Sequence, residues 1–109
     1  MKSNISPAIQ ELAERQAGLC RVFGNPQRVL ILWLLAERER TVTEIALAIG
    51  ASLSSASQHL RFMELSNIVE SRREHHNIYY HVVDNELLKG CLILTKRPKG
   101  KLTEIEILT

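Results

Sequence analysis

Residues 42–65 read VTEIALAIG-ASLSSASQHLRFMEL, two short segments hinged on Gly50-Ala51-Ser52. Val42, Ile45 and Ile49 recur at helical spacing in the first segment, and Leu53, Ala56, Leu60 and Met63 in the second. Thr43 stands as a cap for the first helix, and Glu44 in its opening turn suits the helix dipole. Gly50 ends that helix, and Ser52 caps the next, which runs to about Leu65. Two helices joined this closely have the spacing of a helix-turn-helix. At about 100° per residue, the face opposite the apolar stripe carries Ser54, Ser55, Gln58, Arg61 and Phe62, with His59 at its edge and Glu64 turned to the buried side. Hydroxyl, amide and guanidinium groups can meet base edges and phosphates, and a helix N-terminus favours phosphate. A solvated helix shows the same two-sided pattern, so the periodicity by itself leaves both readings open.

Upstream, Ser6-Pro7 has the form of an N-cap and first-turn proline. Ala8, Ile9, Leu12, Gln16, Leu19 and Phe23 then fall near one helix face. Gly24-Asn25-Pro26 stops this helix and starts a second over about 26–38, which is apolar on nearly every side from Val29 to Leu35. Such a helix belongs at the centre of a small domain. Downstream, Asn67 stands where a left-handed residue is wanted. Ile68 to Arg73 and Ile78 to Val83 then form two strands around a four-residue loop, Glu74 to Asn77. Asp84 is expected to cap a fifth helix over about 85–95. The run from Thr95 to Lys101 is a basic breaker, and the last eight residues alternate weakly. The expected fold is mainly α with a small β-hairpin, in the order α-α-α-α-β-β-α. The expected organisation is one domain over 1–95 and a basic tail over 96–109.

The chain has 109 residues, of which 45% are hydrophobic and 24% charged, the balance of a globular protein with a modest core. Its net charge of +2, from 14 Lys and Arg against 12 Asp and Glu, permits nucleic-acid binding without arguing for it. No apolar run is long enough to span a bilayer, no signal peptide is visible, and two cysteines make no disulfide framework. A cytoplasmic protein is expected. No catalytic triad, phosphate loop or carboxylate pair stands out, so an enzyme is not expected and no cofactor is implied.

Residues 22–94 resemble the ArsR-type winged-helix transcriptional regulators. The resemblance rests on Phe23-Gly24-Asn25-Pro26-Gln27-Arg28-Val29-Leu30-Ile31-Leu32, on Thr41-Val42-Thr43-Glu44-Ile45-Ala46, and on the segment Ser52 to Arg61. It continues through Ile68-Val69, Arg72-Arg73 and Ile78-Tyr79-Tyr80. It implies a homodimer formed by the first and last helices, a fourth helix in the major groove of a palindromic operator, and a hairpin wing on the flanking backbone. It also implies repression relieved by a small inducer. Carried over residue by residue, the DNA-contacting set is Ser52, Ser54, Ser55, Ser57, Gln58, His59 and Arg61, with Arg72 and Arg73 on the wing. The helical wheel turns Ser57 towards the buried side, where it would cap or pack instead. Asn67 and His75 stand where relatives commonly have glycine.

The inducer is less legible. Soft-metal sensors of this kind have a Cys-x-Cys pair where this chain has Thr41 and Thr43, poor ligands for such ions. Zinc sensors place Asp-x-His where Asp84-Asn85-Glu86 stands, and second ligands where Arg97 and Gly100 fall. No metal site is expected, at His75-His76 and His81 included. Cys20 and Cys91 are candidates for a thiol sensor if the first and last helices meet, although a buried cysteine also serves as a small hydrophobe. The alternative function is a winged-helix protein-interaction module, which the outward Phe62 would favour.

Overall fold

The computed structural model describes residues 4–98. Ser6 caps helix α1 (Pro7–Val22) by accepting the Ile9 N–H, with Pro7 in the first turn. Asn25 caps α2 (Pro26–Glu37) by accepting from Gln27 at 2.9 Å and Arg28 at 3.3 Å. Strand β1 (Arg40–Thr41) leads into α3 (Val42–Ile49), and α4 (Leu53–Leu65) follows. Strands β2 (Val69–Glu74) and β3 (Asn77–Val82) form the hairpin, and two short helices follow, α5 (Glu86–Lys89) and α6 (Leu92–Thr95). The three strands make an antiparallel sheet in the order β1-β3-β2. This is a winged helix-turn-helix, with the expected element order extended by one strand and one break.

The core gathers around α2, where Ile31 and Leu32 have no exposure and Leu34 and Leu35 almost none. Ile45 of α3, Ala56, Leu60 and Met63 of α4, and Ile68 and Val69 at the root of the hairpin join it, with Leu19 and Val22 of α1 and Leu88 of α5. Two left-handed residues frame α4. Gly50 (φ +70°) turns the chain out of α3, and a Cβ there would meet nothing within 4 Å, so only its backbone angle calls for glycine. Asn67 (φ +61°) ends α4 in a Schellman motif, with its own N–H on the Glu64 carbonyl and the Ile68 N–H on the Met63 carbonyl.

Several expectations need correction. The cap of α3 is Thr41, not Thr43: Thr41 Oγ1 accepts the Glu44 N–H at 3.2 Å and Glu44 returns a bond from the Thr41 N–H at 3.0 Å, a reciprocal capping box. Thr41 also pairs with Tyr79 in the sheet, a contact that no local pattern announces. The hairpin loop has two residues rather than four, since Glu74 pairs with Asn77 and His75 (φ +58°) makes the tight turn. The single helix over 85–95 is broken at Gly90-Cys91, where Cys91 is extended. Gly90 weakens helix at that point, and the Ile93 carbonyl accepts from the Trp33 indole N–H at 2.9 Å, anchoring α6 on α2. Asp84, expected as the cap of α5, is exposed. It pairs with Lys89 at 2.8 Å, and Asn85 Oδ1 accepts the Leu88 N–H. Most of the proposed tail, Gly100 included, lies outside the described residues.

Thr41→Ala is expected to lower folding stability by about 1 kcal/mol, the usual worth of a side-chain cap. Thr43 is exposed, and its alanine variant should stay within about 0.5 kcal/mol of the parent. Equal losses in urea unfolding would show that the capping box does not start α3.

Candidate nucleic-acid interface

The geometry of the site begins with how α4 is seated. Ala56, Leu60 and Met63 have no exposure, so their side of the helix is fixed against the core. Ser54, Ser57, Gln58 and Arg61 are all exposed on the other side. The outward face is rotated relative to the one drawn from periodicity. Ser57 and Glu64, expected on the buried side, are exposed, and Ser55, placed outward, is half-buried. Leu53, counted with the core stripe, is 53% exposed. At the first helical position it projects past the residues that would cover it. Glu64 therefore puts one carboxylate on the flank of α4 that meets the sheet, where Ser71 Oγ donates to it at 3.4 Å.

The rotation has a visible cause in α2. Gln27 and Arg28 reach across to the far flank of α4 and cover part of it. His59 is half-buried there, with Nε2 2.8 Å from Gln27 Oε1 and Nδ1 3.5 Å from Arg28. The short bond to an amide oxygen assigns the ring proton to Nε2 and leaves Nδ1 as acceptor. Arg28 also donates from Nε to the Val22 carbonyl at 2.7 Å and stacks its guanidinium 4.5 Å above the Phe62 ring. It thus ties the end of α1, the start of α2 and the outer flank of α4 together. In the sequence Gln27 and Arg28 lie more than thirty residues from His59, so no local pattern shows this role. Phe62, the feature that favoured a protein-interaction module, is covered in part by this arginine.

Ser52 is exposed, but its hydroxyl accepts the Ser55 N–H at 3.0 Å and so works as the helix cap. On the wing, strand alternation separates the two arginines. Arg72 shares a face with Tyr79 and is held by carboxylates. It meets Glu39 at 2.8 Å and Glu74 at 2.7 Å, and lies 4.8 Å from the Tyr79 ring centroid. Its hydrogen bond holds the Glu39 carboxyl below the usual range, and Glu39 in turn raises the Arg72 pKa. Arg73 lies on the other face opposite Ile78, exposed and without an ion pair among the described residues. Arg61 is likewise exposed without an ion pair among them.

The candidate ligand sites are dispersed. His75 and His76 form the hairpin tip, while His81 lies further along β3 between Glu39 and Glu70, 3.5 Å from each. Among the described residues no three His, Cys, Asp or Glu side chains converge on a point. Cys20 is exposed and Cys91 half-buried, and both line one groove with Leu19, Phe23, Leu92 and Ile93.

His59 should make stability depend on pH. Burial, and then the charge of Arg28, hold its pKa below the ordinary value of 6.5. Unfolding releases it to that value, so its contribution is complete above about pH 6.5 and is lost as pH falls through the folded-state value. The thermal midpoint should therefore drop more between pH 7 and pH 5 in the parent than in His59→Gln. Parallel profiles would remove His59 from the account.

Comparison with known proteins agrees with this architecture. The family model for bacterial regulatory proteins of the arsR family matches residues 25–71. The nodulation protein NolR of Rhizobium meliloti is 38% identical over 85 residues, covering 78% of this chain and 70% of NolR. The crystal structure of NolR from Sinorhizobium fredii superposes with a TM-score of 0.69 at 36% identity, over 81% of this chain and 88% of that one. A homodimeric winged helix-turn-helix DNA-binding domain from Mycobacterium bovis gives 0.65 at 34% identity, over 74% and 75% of the two chains. The transcriptional repressor BigR from Xylella fastidiosa gives 0.69 at 28% identity, over 75% and 81%. With this fold, this outward helix and these relatives, the chain belongs to the ArsR family of bacterial regulatory proteins, as a DNA-binding transcriptional regulator and not an enzyme.

Proposed function

We propose that the protein is a cytoplasmic, homodimeric repressor that reads a palindromic operator through α4 and lets go when an inducer binds. The observation that carries this is the outward row of Ser54, Ser57, Gln58 and Arg61 on a helix whose opposite side is fully buried. These groups suit base edges and phosphates, with Gln matched to adenine and Arg to guanine. Ser52 and Ser55 would lie at the phosphate that the helix N-terminus favours, and His59 would orient the helix from α2 as well as border the groove. Arg73 would take backbone phosphate directly, whereas Arg72 must first exchange Glu39 for it.

Dimerisation has its own support. Ile9 and Leu12 of α1 are 54% and 40% exposed, Ile5 just before its cap 56%, and Leu92 of α6 71%, apolar surface on the two elements expected to pair. Relatives that are homodimeric and that repress transcription fit the same reading. A twofold dimer implies half-sites about one turn of DNA, roughly 34–36 Å, apart. No helix among the described residues is long and apolar enough to cross a membrane.

Fluorescence anisotropy with DNA from upstream of the chain's own gene, against a random duplex, tests this proposal. Gln58→Ala and Arg61→Ala should fold normally and lose discrimination between the two duplexes, by about 1–3 kcal/mol per lost base contact. Arg73→Ala should weaken both complexes alike and flatten the salt dependence by about one unit per contact. Unchanged binding in all three variants would contradict the interface.

For the inducer, the shared groove favours Cys20 and Cys91 as a thiol sensor within one subunit. Oxidation by a hydroperoxide, which takes two electrons and two protons from the pair as a disulfide forms, would clamp α1 to the Gly90-Cys91 break. Peroxide should release operator DNA from the parent protein and leave the Cys20→Ala, Cys91→Ala double variant bound. Release of both would discard the thiol sensor.

A further inference from the structure

We propose that Leu53 reads a thymine methyl group in each operator half-site, an inference that rests on α4 being the DNA-reading helix. Leu53 occupies the first position of α4, directly after the capping Ser52. Its side chain has no place in the core and is 53% exposed, although Ala56, Leu60 and Met63 of the same helix are wholly buried. The next turn of the helix puts the exposed Ser57 beside it at i+4, so it borders the exposed polar face at the start of the helix.

The N-terminal residues of a recognition helix are those that reach base edges. In the major groove three of the four bases offer only hydrogen-bonding groups to a side chain there. Thymine adds a C5-methyl, the one apolar feature of the groove edge. A leucine at this place can neither donate nor accept, so against C, A or G it would desolvate polar edges without replacing their hydrogen bonds. Against thymine it buries methyl on methyl. The chemistry of the side chain therefore names its base. The neighbouring serines set the helix on the backbone, while Gln58 and Arg61 take hydrogen-bonding bases further along the groove.

The methyl group itself can be removed from the DNA. An operator duplex is selected from random sequence by the parent protein, and each thymine of a half-site is replaced in turn by deoxyuridine, which keeps base pairing and loses only the C5-methyl. One position per half-site is expected to weaken parent binding by about fourfold, the effect of one buried methyl-sized group. Leu53→Ala, at an exposed helix start where alanine is well tolerated, should fold as the parent does. It should bind the thymine operator about as weakly as the parent binds one with deoxyuridine at that position in both half-sites, and show no further loss on the substitution. A parent protein indifferent to every deoxyuridine, or a Leu53→Ala variant that keeps the full methyl effect, would overturn the assignment of Leu53 and leave α4 as the reader. Selection that yields no preferred sequence would instead overturn α4 as the reader, and the role of Leu53 with it.

Discussion

Three side chains with no solvent exposure, Ala56, Leu60 and Met63, set the rotation of α4 about its own axis. A turn of one residue, about 100°, would bring Ser57, Arg61 and Glu64 into their places in the core. Burying an unpaired guanidinium and an unpaired carboxylate there costs several times what the displaced contacts are worth. The helix therefore has one seat. The left-handed residues at its two ends, Gly50 and Asn67, fix where it begins and stops along that axis. The chemistry of the outward face is then a by-product of what the core demands of the inward one.

Features whose signal is carried by one side chain and its next few neighbours were legible in the sequence. Ser6, Asn25 and Ser52 cap the helices expected of them, Gly50 ends α3, and Asn67 adopts the left-handed backbone its place calls for. What stayed hidden depends on residues far apart in the chain. Thr41 and Thr43 are equally good caps by type, and pairing of Thr41 with Tyr79 favours one of them. Strand β1 has two residues, too short for any period to show. The break before α6 is favoured by Gly90, but the Trp33 indole, sixty residues away, also takes part. Periodicity assigned Leu53 to the core because a wheel has no ends; a real helix does, and its first residue has nothing beneath it. The same wheel drew the outward face about one position off, since the flank of His59 is covered by Gln27 and Arg28 of another helix.

Sequence also makes Arg72 and Arg73 look interchangeable, and strand alternation makes them opposites. Arg72 is committed to Glu39, a partner 33 residues away, and to Glu74 two residues on. Both pairs are exposed, and exposed ion pairs add little to stability. Their effect falls on availability: a phosphate must displace a carboxylate before it gains Arg72, and the two exchanges nearly cancel. Arg73 has no such competitor among the described residues.

This bears on how such a chain holds DNA at all. With a net charge of +2 over 109 residues, it lacks the large positive field that would supply strong non-specific attraction. Within the hairpin, Glu70 and Glu74 offset Arg72 and Arg73 almost charge for charge. The salt-dependent, sequence-blind part of binding grows with the number of phosphates neutralised, not with net charge. In the proposed complex, well-fitted contacts of the outward face of α4, repeated by the second subunit, would then carry the affinity. Such contacts would tolerate little rotation of the helix, so the empty space a smaller residue would leave at the wholly buried Leu60 or Met63 would be felt at the DNA as well as in the core.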